Sequence, residues 1–111
     1  MNNMVVDFGR YNRLKAQNKI DSVLDGILQD LSVGRFAFAM SKLTNANGKI
    51  NKSYLPILRE IVKVEALKEM DEEIKKEMKD LKAVHQNNNA EMDELKANKK
   101  AAKEIIKQID R

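Results

Sequence analysis

A chain of 111 residues forms one domain at most, with a modest core. The absence of Cys excludes disulfides, thiol catalysis and thiolate metal sites, and 5% aromatic against 34% charged residues speaks for a helical bundle or coiled coil, not a sandwich or barrel. A net charge of +4, from 21 bases against 17 acids, is too balanced to mark a nucleic-acid binder unless the cations gather on one face.

The first six residues show no basic stretch followed by an apolar run, so no secretory leader is expected, and no segment approaches the roughly 18 apolar residues of a membrane span. The expectation is a soluble cytoplasmic protein. Frequent Lys, Asn and Ile fit the coding bias of many bacteria and their phages, and a phage-encoded chain would work inside the host cell.

Over residues 10–31 the apolar positions Leu14, Ile20, Val23, Leu24, Ile27, Leu28 and Leu31 settle into spacings of three and four, which predicts one amphipathic helix with Asp7 near its cap. Its first half carries Arg10, Arg13, Lys15 and Lys19, with Tyr11 interleaved. Cations there oppose the helix dipole, so they are solvated or face an anionic partner, either nucleic acid or an acidic protein. Ser32 is positioned to cap a second short helix over 33–44 with the stripe Phe36, Met40 and Leu43. Together these segments have the lengths of a helix-turn-helix. The second one is too apolar to read base edges and suits the centre of the core.

Residues 45–49, Asn-Ala-Asn-Gly-Lys, form the clearest loop. Ser53 then reads as an N-cap, with the single proline, Pro56, in the first turn where a missing N–H is harmless. From about 54 to 111 runs a charged helical stretch. Leu67, Ile74, Leu81, Asn88, Leu95, Ala102 and Ile109 stand seven apart, accompanied by Met70, Met78, Val84, Met92, Ile105 and Ile106. This is a heptad-like seam. Read as one helix it is a rod of roughly 80 Å at about 1.5 Å per residue, dimerising with Asn88 as a buried register residue. Folded back at the Gln86–Asn89 run it is an antiparallel hairpin. That fold sets Asp80 near Lys96, Glu77 near Lys99, Glu73 near Lys103 and Glu69 near Lys107, while Lys76 with Lys100 and Glu72 with Glu104 oppose it. Three successive Asn cost a helix on the order of 2 kcal/mol relative to Ala. Asn88 with Glu91 has the spacing of a capping box that restarts a helix. The hairpin is therefore the favoured form.

Chemistry-bearing motifs are sparse. His85, the single His, has no second ligand at metal spacing. Acidic pairs such as Glu72-Glu73 and Asp93-Glu94 fall on a solvated helix rather than in a cleft. The glycines at 9, 26, 34 and 48 make no phosphate loop. The methionines at helical spacing read as core filler, or as an adaptable binding face. Lys96, Lys99, Lys100, Lys103 and Lys107, with Arg111, form a basic run that can face phosphates or the acids of the preceding helix.

The expected protein is all-α and single-domain: an N-terminal helical unit over 1–44, a loop over 45–52, and a coiled-coil arm over 53–111 with a break near 86–89. It is expected to be non-enzymatic and without cofactor or metal. It would be a helical interaction protein, an assembly factor, adaptor or inhibitor that binds a protein partner and is itself a dimer. The alternative is a nucleic-acid-binding accessory or regulatory protein. In either case the contact residues would be Arg10, Arg13, Lys15, Lys19, Lys96, Lys99, Lys100, Lys103 and Lys107.

Overall fold

The structure is a computed structural model that describes residues 5–84 and 89–110. His85, Gln86, Asn87 and Asn88, and with them the expected turn histidine, the capping box and the buried register residue, lie outside the described residues, as do Met1, Met4 and Arg111. The described chain is all-helical: α1 (Phe8–Ala16), α2 (Ser22–Ser32), α3 (Phe36–Leu43), a 3-10 turn (Lys52–Tyr54), α4 (Leu55–Ile61), α5 (Val64–Val84) and α6 (Asn89–Ile109). Two isolated bridges, Val6 with Val62 and Thr44 with Ile50, are the only extended pairings among the described residues.

The single helix expected over 10–31 is two. Asn18 takes a left-handed backbone (φ 58°), a conformation Asn tolerates better than most residues, just beyond the end of α1 at Ala16. Asp21 then caps α2 by accepting from the Leu24 N–H at 2.7 Å. The α2 stripe Leu24, Ile27, Leu28 and Leu31 is at most 1% exposed. Burying each such side chain is worth about 1.5–3 kcal/mol, so this helix anchors the core. Ser32 does not cap the next helix. It ends α2, and its hydroxyl donates to the Leu28 carbonyl at 2.8 Å. Gly34 makes the turn in a left-handed conformation (φ 79°), and α3 starts at Phe36.

The helix expected from about residue 54 to the break near 86–89 is interrupted earlier, at Val62. Asn51, rather than Ser53, caps its start, accepting from the Ser53 N–H at 3.1 Å, and Pro56 lies in the first turn as expected. At Val62 the backbone is extended (φ −94°, ψ 129°) because residues 5–7 cross there. The Lys63 N–H donates to the Val5 carbonyl at 2.7 Å, and the Asp7 N–H donates to the Ile61 carbonyl at 2.8 Å. Val5 and Val6, which form this crossing, are buried.

Cross-helix ion pairs orient α5 and α6. Lys68 meets Asp110 at 3.0 Å and Lys99 meets Asp71 at 3.1 Å, so position numbers rise on one helix as they fall on the other. Lys99 reaches Asp71 rather than the expected Glu77. The second half of α6 is core material as well: Ala102, Ile105 and Ile109 are buried in the same cluster as Phe36 of α3 and Leu67 of α5. Asn98 ties α6 to α3, its Oδ1 accepting from the Ala37 N–H at 3.0 Å and its Nδ2 donating to the Gly34 carbonyl at 2.7 Å. The molecule measures 50 × 32 × 24 Å. Among the described residues no helix is long and apolar enough to cross a membrane.

Candidate functional site

The N-terminal cations do not converge. The Arg10 guanidinium lies 3.6 Å from Asp7 and donates to the Glu60 carbonyl at 3.1 Å, which ties α1 to the end of α4. The Lys15 ammonium donates to the Tyr11 hydroxyl at 3.1 Å, lies 3.4 Å from Asp25 and stands 5.4 Å from the Tyr11 ring centre. The Tyr11 hydrogen bond, with Asp25 next in weight, raises the Lys15 pKa above its ordinary value. Tyr11 is not an exposed aromatic among cations: it is 8% exposed, and its hydroxyl donates to Asp25. Arg13 and Lys19 remain exposed.

The C-terminal lysines divide. Lys99 is held by Asp71, with only 16% of its side chain exposed, so its charge is spent within the fold. Lys96 is exposed. Lys100, Lys103 and Lys107 stand at spacings of three and four on α6, and this places them on one bank of a groove of about 1250 Å³ between α6 and α3. Ala37 and Met40 of α3, Ile50, and Ala97 and Ala101 of α6 give the groove an apolar lining.

Lys49 and Lys52 also line this groove, and sequence reasoning did not place them there. The loop that carries them is a built turn. The Asn45 side chain accepts from the N–H groups of Asn47 (2.9 Å) and Lys49 (3.0 Å), and the Asn45 N–H donates to the Lys49 carbonyl at 2.8 Å. Gly48 supplies the left-handed residue (φ 77°) that closes it. The Asn51 N–H then donates to the Leu43 carbonyl at 2.8 Å and docks the loop on the end of α3. No local signal in 45–52 could have aimed these lysines at α6, because the aim is set by where α6 lies.

Five lysines therefore surround an apolar floor. The single acid of the lining, Glu104, accepts from the Gln108 side chain at 3.1 Å. None of the five lysines has an ion-pair partner among the described residues. Like charges around a low-dielectric floor concentrate positive potential over the groove. A smaller depression of about 510 Å³ adjoins it, sharing Lys52 and adding Lys42 and Tyr54. The Tyr54 hydroxyl donates to Asp21 at 2.9 Å, which raises the Tyr54 pKa.

Glu72, Glu73, Asp93 and Glu94 are exposed, and no group of three or more His, Asp or Glu among the described residues is placed to hold a metal ion. Leu67, Ile74 and Ala102 of the heptad seam are buried within the chain, and Leu81 and Leu95 are half-buried. The chain matches no family model, no curated protein and no solved structure.

Proposed function

We propose that this chain is a non-catalytic interaction protein that binds a protein partner, as an assembly factor, adaptor or inhibitor. The observation that carries this reading is the groove between α3 and α6: an apolar floor with charge at its margins is how a protein surface captures another chain's apolar side chains. In this reading α5 and α6 act as a coiled-coil hairpin, with Ile74, Leu81, Leu95 and Ala102 as its seam, that stiffens the α6 bank. The basic face centred on Arg13 and Lys19 would be a secondary contact at most, since Arg10 and Lys15 are engaged within the fold.

Nucleic acid is the second reading, favoured by the alignment of Lys100, Lys103 and Lys107 on one helix face. Against it, the lining holds no aromatic side chain on which a base could stack, and phosphates would leave Met40, Ile50 and the alanines uncovered. Fluorescence anisotropy of a labelled generic DNA duplex, at low and at physiological salt, separates the two. The protein-partner reading expects no micromolar binding even at low salt. Micromolar affinity that falls steeply with salt would hand the lysines to phosphates and displace it.

A further inference from the structure

We propose that the α3–α6 groove receives an acidic amphipathic helix of about three turns from another protein, an assignment that rests on the protein-partner reading above. The length comes from α6. From Ala97 to Gln108 the bank spans roughly 16 Å at about 1.5 Å per residue, which is three helical turns laid alongside. The depth comes from small side chains. Ala37, Ala97 and Ala101 let an incoming helix approach closely, while Met40 and Ile50 meet its apolar stripe. The α3 and α6 banks are helices whose backbone groups are already paired and the loop side offers only the single Thr44–Ile50 bridge, so an extended peptide would find no regular sheet edge there, whereas an amphipathic helix needs only side-chain contact.

The sign of the charge selects the occupant. Lys100, Lys103 and Lys107 stand on the α6 side and Lys49 and Lys52 on the loop side, and none of the five has an ion-pair partner among the described residues. A helix with an apolar stripe flanked by carboxylates meets cations on both sides, and a basic helix of the same shape meets repulsion on both. A second copy of this chain does not fit that description. Its net acidic helices, α2 and α5, have already buried their apolar faces, Leu24 to Leu31 in one and Leu67 and Ile74 in the other.

The test is anisotropy of a labelled designed helix of about 14 residues, roughly four turns, with Leu at spacings of three and four and Glu at its flanks. Its comparison probes are a scrambled sequence, the same helix with Lys for every Glu, and a DNA duplex. The variants are the double Lys103→Glu, Lys107→Glu; Ala97→Glu in the exposed part of the floor; and the double Lys76→Glu, Lys79→Glu, which changes net charge equally on the exposed face of α5. Circular dichroism verifies that each variant is folded. The acidic helix is expected to bind, to bind at least roughly tenfold more tightly than the scramble, and to lose roughly tenfold with each groove variant but little with the α5 pair. Equal loss with the α5 pair, or equal binding of the scramble, reduces the groove to a diffuse polycation and overturns the proposal. Binding of the Lys-bearing helix in place of the acidic one overturns the acidic occupant and keeps the protein-partner reading. Binding of the duplex alone, abolished by Lys103→Glu with Lys107→Glu, overturns both. Silence from every probe overturns the occupant.

Discussion

Asn98 and Ala37 are 61 positions apart in the chain, yet the Asn98 side-chain oxygen accepts from the Ala37 N–H at 3.0 Å. Arg35, the N-cap residue of α3, makes no side-chain cap hydrogen bond, so α6 supplies from a distance the acceptor that a Ser or Asp normally supplies next door. Asn98→Ala should cost about 1–3 kcal/mol, since it removes a cap and also orphans the Gly34 carbonyl. Asn98→Asp keeps the acceptor but sets a carboxylate oxygen against that carbonyl, so it should recover only part of the loss. Urea unfolding with an unchanged slope measures both.

Asp30 is 4% exposed and faces Lys42 at 2.7 Å and Arg35 at 3.5 Å. The cations are half in water and the carboxylate is not. Lys42→Met strands a buried charge with one remaining partner, at a cost of roughly 1–3 kcal/mol, whereas Asp30→Asn releases two cations that can rehydrate and should cost less. The double variant should be less damaging than the sum of the two singles. A thermodynamic cycle in urea reads the coupling directly, and strict additivity would mean that the pair is inert.

Gly26 and Gly34 should respond oppositely to Ala. Gly26 lies inside α2, and an added Cβ would stand at contact distance, 3.4 Å, from the Lys42 Nζ, so Gly26→Ala should stabilise by about 0.5–1 kcal/mol through helix propensity. Gly34 has φ 79°, where an L side chain is strained, and Gly34→Ala should cost about 1 kcal/mol or more even though its Cβ would meet Met70 (3.7 Å) and Phe36 (4.0 Å) only at ordinary contact distance. Thermal midpoints moving in opposite directions would verify the contrast.

The pH profile should fall away on both sides. The Asp21 carboxyl is held below its ordinary pKa by the Leu24 N–H first and the Tyr54 hydroxyl second. The unfolded chain then binds more protons in acid, so this contribution is present above the usual carboxylate range and is lost as pH falls below about 4. Tyr54 is raised by the Asp21 hydrogen bond, Lys15 by Tyr11 and then Asp25, and Lys68 by Asp110. These contributions are complete below the unfolded pKa values and are lost as pH climbs past about 10. Asp21→Asn should flatten the acid limb of stability against pH and leave the alkaline limb shaped by Lys15 and Lys68.

The helical character of the chain and most of its apolar stripes were legible, because Leu24, Ile27, Leu28 and Leu31, or Leu67 and Ile74, recur at a period no strand shares. The breaks were harder. Asn18 and Val62 carry no Gly or Pro signal: one turns because Asn tolerates a left-handed backbone, the other because residues 5–7 pair with it from far away in sequence. The same distinction governs the site. Lys100, Lys103 and Lys107 share a helix face by arithmetic alone, but Lys99, one residue away, belongs to Asp71, and Lys49 and Lys52 join them only through the docking of a loop. Composition marks the cations; tertiary contact decides which of them stay unspent.

The remote capping of α3 also has a consequence for how the chain folds as it leaves the ribosome. Phe36 and Leu58 emerge well before Ala102 and Ile105, which share their buried cluster, and before Asn98, which caps α3, have been synthesised. The early chain therefore waits with its apolar surface uncovered, and closure must span most of the polypeptide at once. Nascent chains stalled before residue 89 should be caught by chaperones or aggregate, and release of α6 is the event that lets the whole molecule condense.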